Sequence, residues 1–117
     1  MNDWVKEFPA AVTVTASDGE IIEMNDKAAA IFEEDGGYDL IGSNILDCHP
    51  ESARNKLKQL MEGQLENIYT IEKNGMKKLI YQTPWFKEGL PAGFIEFSFE
   101  IPLDIPHHIR NGEPSGG

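Results

Sequence analysis

The dipeptide Asn74-Gly75 constrains this chain more than any other feature. It is the strongest hairpin signal among natural residues, because both positions of a type I′ turn need positive φ. Strand-length runs flank it, "QLENIYTIEK" before and "MKKLIYQTPWF" after. "KEGLPAG" reads as the next turn. "GFIEFSFEI" then alternates, with Ile95, Phe97, Phe99 and Ile101 on one side and Glu96, Ser98 and Glu100 on the other. Hydropathy sends the first row to the core and the second to water. The face of Lys77 to Phe86 that looks inward stays open, since both of its faces carry apolar residues. That two-sidedness implies a cover on the outer face, from an N-terminal helix or a second protomer.

A second hairpin lies near the start. In "AAVTVTASDGEIIEMN", Val12 and Val14 alternate with Thr13 and Thr15, Asp18-Gly19 makes the turn, and Asn25 can cap a helix through its side-chain oxygen. Ala28, Ala29, Ile31 and Phe32 give that helix an apolar face, and Gly36-Gly37 end it. "YDLIGSNILD" reads as short helical turns. Pro50 is expected at the first position of a longer helix, with His49 as its N-cap. Ala53, Leu57, Leu60 and Met61 form one stripe along it, and Gly63 supplies a left-handed stop. Ahead of everything, Trp4, Val5 and Phe8 share a helical face that Pro9 ends. Five strands with helices gathered on one face make an α+β layer.

A chain of 117 residues supports one core. The expected division is a cap helix over 1–9, a domain over 10–105 and an exit linker or tail over 106–117. Twenty Asp and Glu oppose ten Lys and Arg. That balance disfavours nucleic acid and anionic membrane as partners. No apolar run approaches a membrane span, and Asp3, Lys6 and Glu7 stand where a signal peptide needs an apolar core. The expectation is a soluble, cytoplasmic protein, whether whole or cut from a larger one. No phosphate loop or nucleophile constellation is present, so no enzyme is expected.

The order of elements resembles the PAS domain from about Phe8 to Ile105. "DGEIIEMNDKAAAIF" is similar to its first hairpin and helix, and "DLIGSNILD" to its helical connector. "NGMKKLIYQTPWF" resembles its long fourth strand, and "GLPAGFIEFSFEIPLDI" its last strand and exit. "IGSNILDCHP" is closest to PAS domains found beside hemerythrin-like domains, which carry a similar Cys-His-Pro before the long helix. The resemblance implies a sensory or interaction module in signal transduction. It also implies a cavity for haem, flavin or a small metabolite, frequent dimerisation and relay to an effector.

Cys48 and His49 are the residues with candidate chemistry. His49 at a helix N-terminus stays neutral, as ligation of haem iron requires. Cys48 is a second haem ligand candidate through its thiolate, with Leu57, Leu60 and Met61 as walls and Tyr81, Thr83 and Phe97 as further cavity residues. Cys48 also reads as a redox thiol, although Asp47 and Glu51 oppose its ionisation. The plainer alternative makes Cys48-His49-Pro50 a helix start. The identity of the cofactor stays open. A homodimer with a small-molecule ligand and an effector or signalling protein is the expected partnership, the alternatives being a ligand-free dimerisation module or a redox or metal sensor at Cys48-His49.

Overall fold

The computed structural model describes residues 1–112, the side chain of Cys48 excepted. The last part of the expected tail, 113–117, lies outside the described residues. Asn74 and Gly75 both take positive φ, 55° and 76°, and close the expected two-residue hairpin. It joins β3 (Asn67–Lys73) to β4 (Met76–Lys87). A second turn of this kind sits at Glu88-Gly89, with φ of 53° and 80°. The chain therefore reverses sooner than expected, and β5 (Leu90–Ile101) begins three residues before Gly93. Neither strand proline breaks a ladder. Pro84 lies past the end of the β3 pairing, and Pro91 lies outside the span that pairs with β1.

β1 (Ala11–Ala16) and β2 (Ile21–Met24) complete a fully antiparallel sheet of order β2-β1-β5-β4-β3. The helical elements are α1 (Asp3–Lys6), α2 (Asp26–Ile31) and α3 (Glu51–Gly63), with 3-10 turns at Glu33–Asp35, Gly37–Leu40 and Ile45–Cys48. Ala28, Ile45, Leu57 and Leu60 pack on Ala11, Ile21, Met24 and Phe94, so the core forms between the helical layer and one sheet face. This is the α+β architecture expected. Among the described residues, no helix is long and apolar enough to cross a membrane.

Both ends of α3 differ from expectation by one residue. Pro50 is the N-cap, with an extended ψ of 157°, and its carbonyl accepts the first helical bond from the Arg54 N–H. His49 instead ends the preceding 3-10 turn. At the other end Gly63 stays helical and Gln64 takes the left-handed conformation. The Leu65 N–H reaches back to the Leu60 carbonyl and the Gln64 N–H to that of Met61, a Schellman stop.

Asn25 ties the N-terminal elements together. It is fully buried, and its amide is saturated. The Oδ1 accepts from the Val12 N–H at 2.9 Å and from the Ala28 N–H at 3.1 Å. The Nδ2 donates to the Ala10 carbonyl at 2.7 Å and to that of Val5 at 3.1 Å. One side chain thus caps α2, pins the start of β1 and holds α1. The only other described polar tie on α1 near this point is exposed: Lys6 pairs with Asp26, which also accepts from the Tyr38 hydroxyl. α1 itself is a single turn with no buried residue, and Trp4 is 73% exposed.

Asn25→Ala strips partners from buried backbone groups on β1 and α2, at about 1–3 kcal/mol for each group left unsatisfied. We expect a loss of about 3 kcal/mol or more in urea unfolding. Lys6→Ala, which removes an exposed pair, should leave the unfolding midpoint close to that of the wild type. Equal losses from the two variants would contradict this account.

Candidate functional site

The sheet has two unlike faces, and β5 divides them. Its register sets Thr13, Glu96, Gln82 and Asn67 side by side across β1, β5, β4 and β3. That polar rung lies on the inner face, under the helices, with Phe94 and Ser98 flanking it on the same strand. Ile95, Phe97, Phe99 and Ile101 therefore point to the outer face. This reverses the expected assignment of β5, in which the apolar row was to be buried and Glu96 wet.

The rung is hydrogen-bonded in a defined direction. Asn67 Nδ2 donates to Gln82 Oε1 at 2.9 Å. The Gln82 nitrogen is then the side of the amide left to donate, and Glu96 stands beside Gln82 in the strand register. Burial pushes the Glu96 carboxyl above the ordinary glutamate range, while the nearby His49 charge and the Gln82 hydrogen bond act the other way. Two ion pairs occur among the described residues, Met1 with Glu23 and Lys6 with Asp26, and neither involves Glu96.

Glu96 borders three openings on this face. One space, lined by Leu57, Met61, Ile45, Gln82 and Phe94, has a volume of about 10 Å³. A second, beside His49, is lined by Ile21, Met24, Phe32 and Leu40 and is also about 10 Å³. Both have the size of one water. A third is a cleft of about 150 Å³, with Thr13, Lys78, Glu96 and Ser98 as its polar groups and Phe32, Ile71 and Ile80 among its apolar walls.

His49 is held by its ring. Its Nδ1 lies 2.8 Å from the Ile45 carbonyl. A carbonyl only accepts, so Nδ1 carries the proton and Nε2 is the nitrogen left for a ligand. The space beside it falls far short of the roughly 300 Å³ of an ordinary ligand pocket. As arranged, these residues do not fit haem. The Cys48 expectation falls on a side chain outside the described residues.

The remaining expected site residues separate. Leu57 and Leu60 are buried in the core, and Met61 packs against it, with Leu57 and Met61 reaching the inner face. Tyr81, Thr83 and Phe97 are corrected: the β4–β5 register places all three on the outer face. There the Tyr81 hydroxyl donates to Glu66 Oε2 at 2.6 Å and the Thr83 hydroxyl to the same oxygen at 3.3 Å. Phe97 stacks on Phe99 with centroids 5.7 Å apart. Trp85 also belongs to this face. Its indole N–H crosses Gly93 to the Thr15 carbonyl at 2.9 Å, and a Cβ on Gly93 would collide with both groups. Sequence reasoning missed Glu96 and Thr13 and left Gln82 undecided. No signal within β5 finds Glu96, because its apolar row is the more regular one.

No protein-family model and no curated protein matches this chain. Solved structures do. A sensory box sensor histidine kinase from Vibrio cholerae is 20% identical, covers 87% of this chain and 89% of its own, and has a TM-score of 0.62. The PAS domain of an HTR-like protein from Haloarcula marismortui is 17% identical over 84% of this chain and 86% of its own, TM-score 0.58. The Aer2 receptor from Vibrio cholerae, described as a dual PAS-heme oxygen sensor, is 12% identical over 79% of this chain and 94% of its own, TM-score 0.61. The chain has the PAS fold.

Two outcomes follow for the site. Glu96 has a higher proton affinity folded than unfolded. Its contribution to stability is complete below the ordinary glutamate value of 4.5 and is lost as pH rises through the raised one. Glu96→Gln should therefore match the wild type in acid and melt at higher temperature at neutral pH; the reverse order would contradict a desolvated carboxyl. Hemin added to the wild type should give no sharp Soret band that His49→Ala removes. Such a band would show that the space beside His49 opens.

Proposed function

We propose that this domain is a non-catalytic PAS-type sensory and interaction module in signal transduction. It binds a small ligand on the inner face of its sheet and relays that state through a homodimer formed by the outer face. The observation that carries this reading is the division of β5. Glu96 and Ser98 border a 150 Å³ cleft, while Phe97 and Phe99, the residues between and beyond them, stand on the opposite face. Any change in how the strand packs at Glu96 is felt at once by its outer row. The likeness to sensor kinases and a receptor supports the same reading at the level of fold.

A second copy of this chain is the occupant we assign to the outer face. Leu79, Tyr81, Ile95, Phe97 and Phe99 are only half-buried there, while Val12 and Val14 at the β1 end of the same face are buried. A flat apolar sheet face is self-complementary, which suits a two-fold interface. An effector attached to or bound by such a dimer would read its geometry. The alternative is a ligand-free dimerisation module, favoured by the near-filled spaces around Ile45 and His49.

Sedimentation tests the interface. The wild type should sediment as a dimer. Phe97→Glu should weaken it at least about thirtyfold, the effect of losing a central aromatic contact, with an unchanged far-UV spectrum. A monomeric wild type, or a variant that dimerises equally well, overturns the assignment.

A further inference from the structure

We infer that the segment after β5, residues 102–109, is an edge strand that pairs with a second copy of this chain, antiparallel along the free edge of β3. This deepens the homodimer reading above and rests on it for the identity of the partner. The first ground is the segment itself. The outer row of β5 does not stop where the strand does: Ile101 is followed, at the same two-residue spacing, by Leu103, Ile105, His107 and Ile109. Leu103, Ile105 and Ile109 are 58%, 47% and 76% exposed. The chain bends at Leu103 and Asp104, and among the described residues no backbone hydrogen bond ties 102–112 to the rest. Both prolines fall on the other parity. In a strand, alternate residues point their N–H and C=O to opposite edges. Pro102 and Pro106 share one edge with Asp104 and His108, and that edge lacks two donors. The other edge keeps every N–H and C=O of Leu103, Ile105, His107 and Ile109. A strand so built pairs on one side only.

The second ground is the acceptor. β3 ends the sheet, so its far side has no neighbour, and such an edge is a template for another strand. Residues that flank a two-residue hairpin turn exchange backbone hydrogen bonds, here Lys73 and Met76. Alternation then gives Ile71, Tyr69 and Asn67 to β4 and leaves the N–H and C=O of Ile68, Thr70 and Glu72 pointing off the sheet. These three lie on the outer face, opposite Tyr81, Leu79 and Lys77, and Ile68 is 53% exposed. The opposite edge is no equivalent. β2 has four residues, and Ile21 already donates to the Ser43 carbonyl and accepts from the Gly42 N–H. The two edges also agree in facing. Residues directly opposite in an antiparallel pair share a face. Leu103, Ile105 and Ile109 therefore join Ile68 on the outer face and extend the apolar surface assigned to the dimer. Between residues 102 and 112 one acid, Asp104, is offset by Arg110, so the strand brings no like charge to an acidic chain of −10. The chain's own β3 is the poorer acceptor. β5 lies three strand spacings from the free edge, about 14 Å, and crossing them spends about four of the eight residues.

The test is amide hydrogen exchange of the full chain, read by NMR at concentrations above and below that of dimer dissociation. In the dimer the N–H groups of Thr70 and Ile105, central on the two edges, should slow at least about tenfold, while those of Asp104 and His108 stay fast. All four should be fast in the monomer. Two proline variants on the exposed segment check the parity. Ile105→Pro removes a pairing N–H, and Asp104→Pro adds a proline to the edge that already lacks donors. Each substitution occurs twice in a two-fold dimer, so Ile105→Pro should weaken dimerisation at least about tenfold and Asp104→Pro less than about twofold. A dimer in which Thr70 and Ile105 exchange as fast as Asp104 overturns the strand addition and leaves the outer-face dimer standing. Equal weakening by the two prolines overturns it likewise. Protection of Thr70 without Ile105 overturns residues 102–109 as the occupant. Protection of both in the monomer overturns the second copy and gives the strand to its own chain. A wild type that stays monomeric at every concentration overturns the inference and the homodimer reading together.

Discussion

The fold depends first on one buried amide. Asn25 occupies the point where α1, β1, β2 and α2 meet, and an Asn offers two donors and two acceptor positions to that point. All four are used, each on a backbone group. No other residue of similar size does this. Asp lacks the donors that Ala10 and Val5 need, and Leu lacks everything. The amide therefore fixes where β2 ends and α2 begins. That junction in turn sets α2 against β1, and Phe32 and Ile31 against the inner face where the cleft lies.

From that junction the register does the rest. β1 pairs with β5 over six residues, Ala11 with Ser98 through Ala16 with Gly93. Once Thr13 stands beside Glu96, every residue of β5 has its face decided, because a strand alternates with period two. The same register brings Gln82 beside Glu96 and Asn67 beside Gln82. Two tight turns with positive φ, at Asn74-Gly75 and Glu88-Gly89, hold the β3–β4–β5 register in place. Gly93 then allows Trp85 to lie across the sheet onto β1, which locks the outer side of the same ladder.

Much of this was legible in the sequence. The hairpin at Asn74-Gly75, the turn at Asp18-Gly19, the cap at Asn25 and the stripe of α3 each rest on a local rule, and local rules read well from one chain. The facing of β5 did not. Hydropathy assumes that the more apolar row of a strand is the buried row. Here the sheet is apolar on both faces, and the core takes Phe94 while the longer row Ile95, Phe97, Phe99 and Ile101 turns outward. The decision is made by pairing with β1 and β4, which no period in β5 contains. Tyr81, Thr83 and Phe97 were misplaced for the same reason. His49 was placed beside the inner face as expected, but as the end of a 3-10 turn whose ring is tied to Ile45 rather than as the cap of α3.

A row of aromatic residues on an outer face and a carboxyl on an inner one are each unfavourable alone. The first leaves apolar area in water, and the second desolvates a charge. Carried by one strand, they become two halves of a linkage. A ligand shifts an equilibrium only by its differential affinity for two states, and a dimer does the same. A ligand in the cleft would favour the strand position that best meets the residues lining it. A protomer on Phe97 and Phe99 would favour the position that flattens the outer row. If those positions coincide, ligand and partner bind with positive coupling; if they oppose, each weakens the other, and by the same factor in both directions. Under the proposed reading, the geometry of β5 would couple the two binding events without any path longer than one residue.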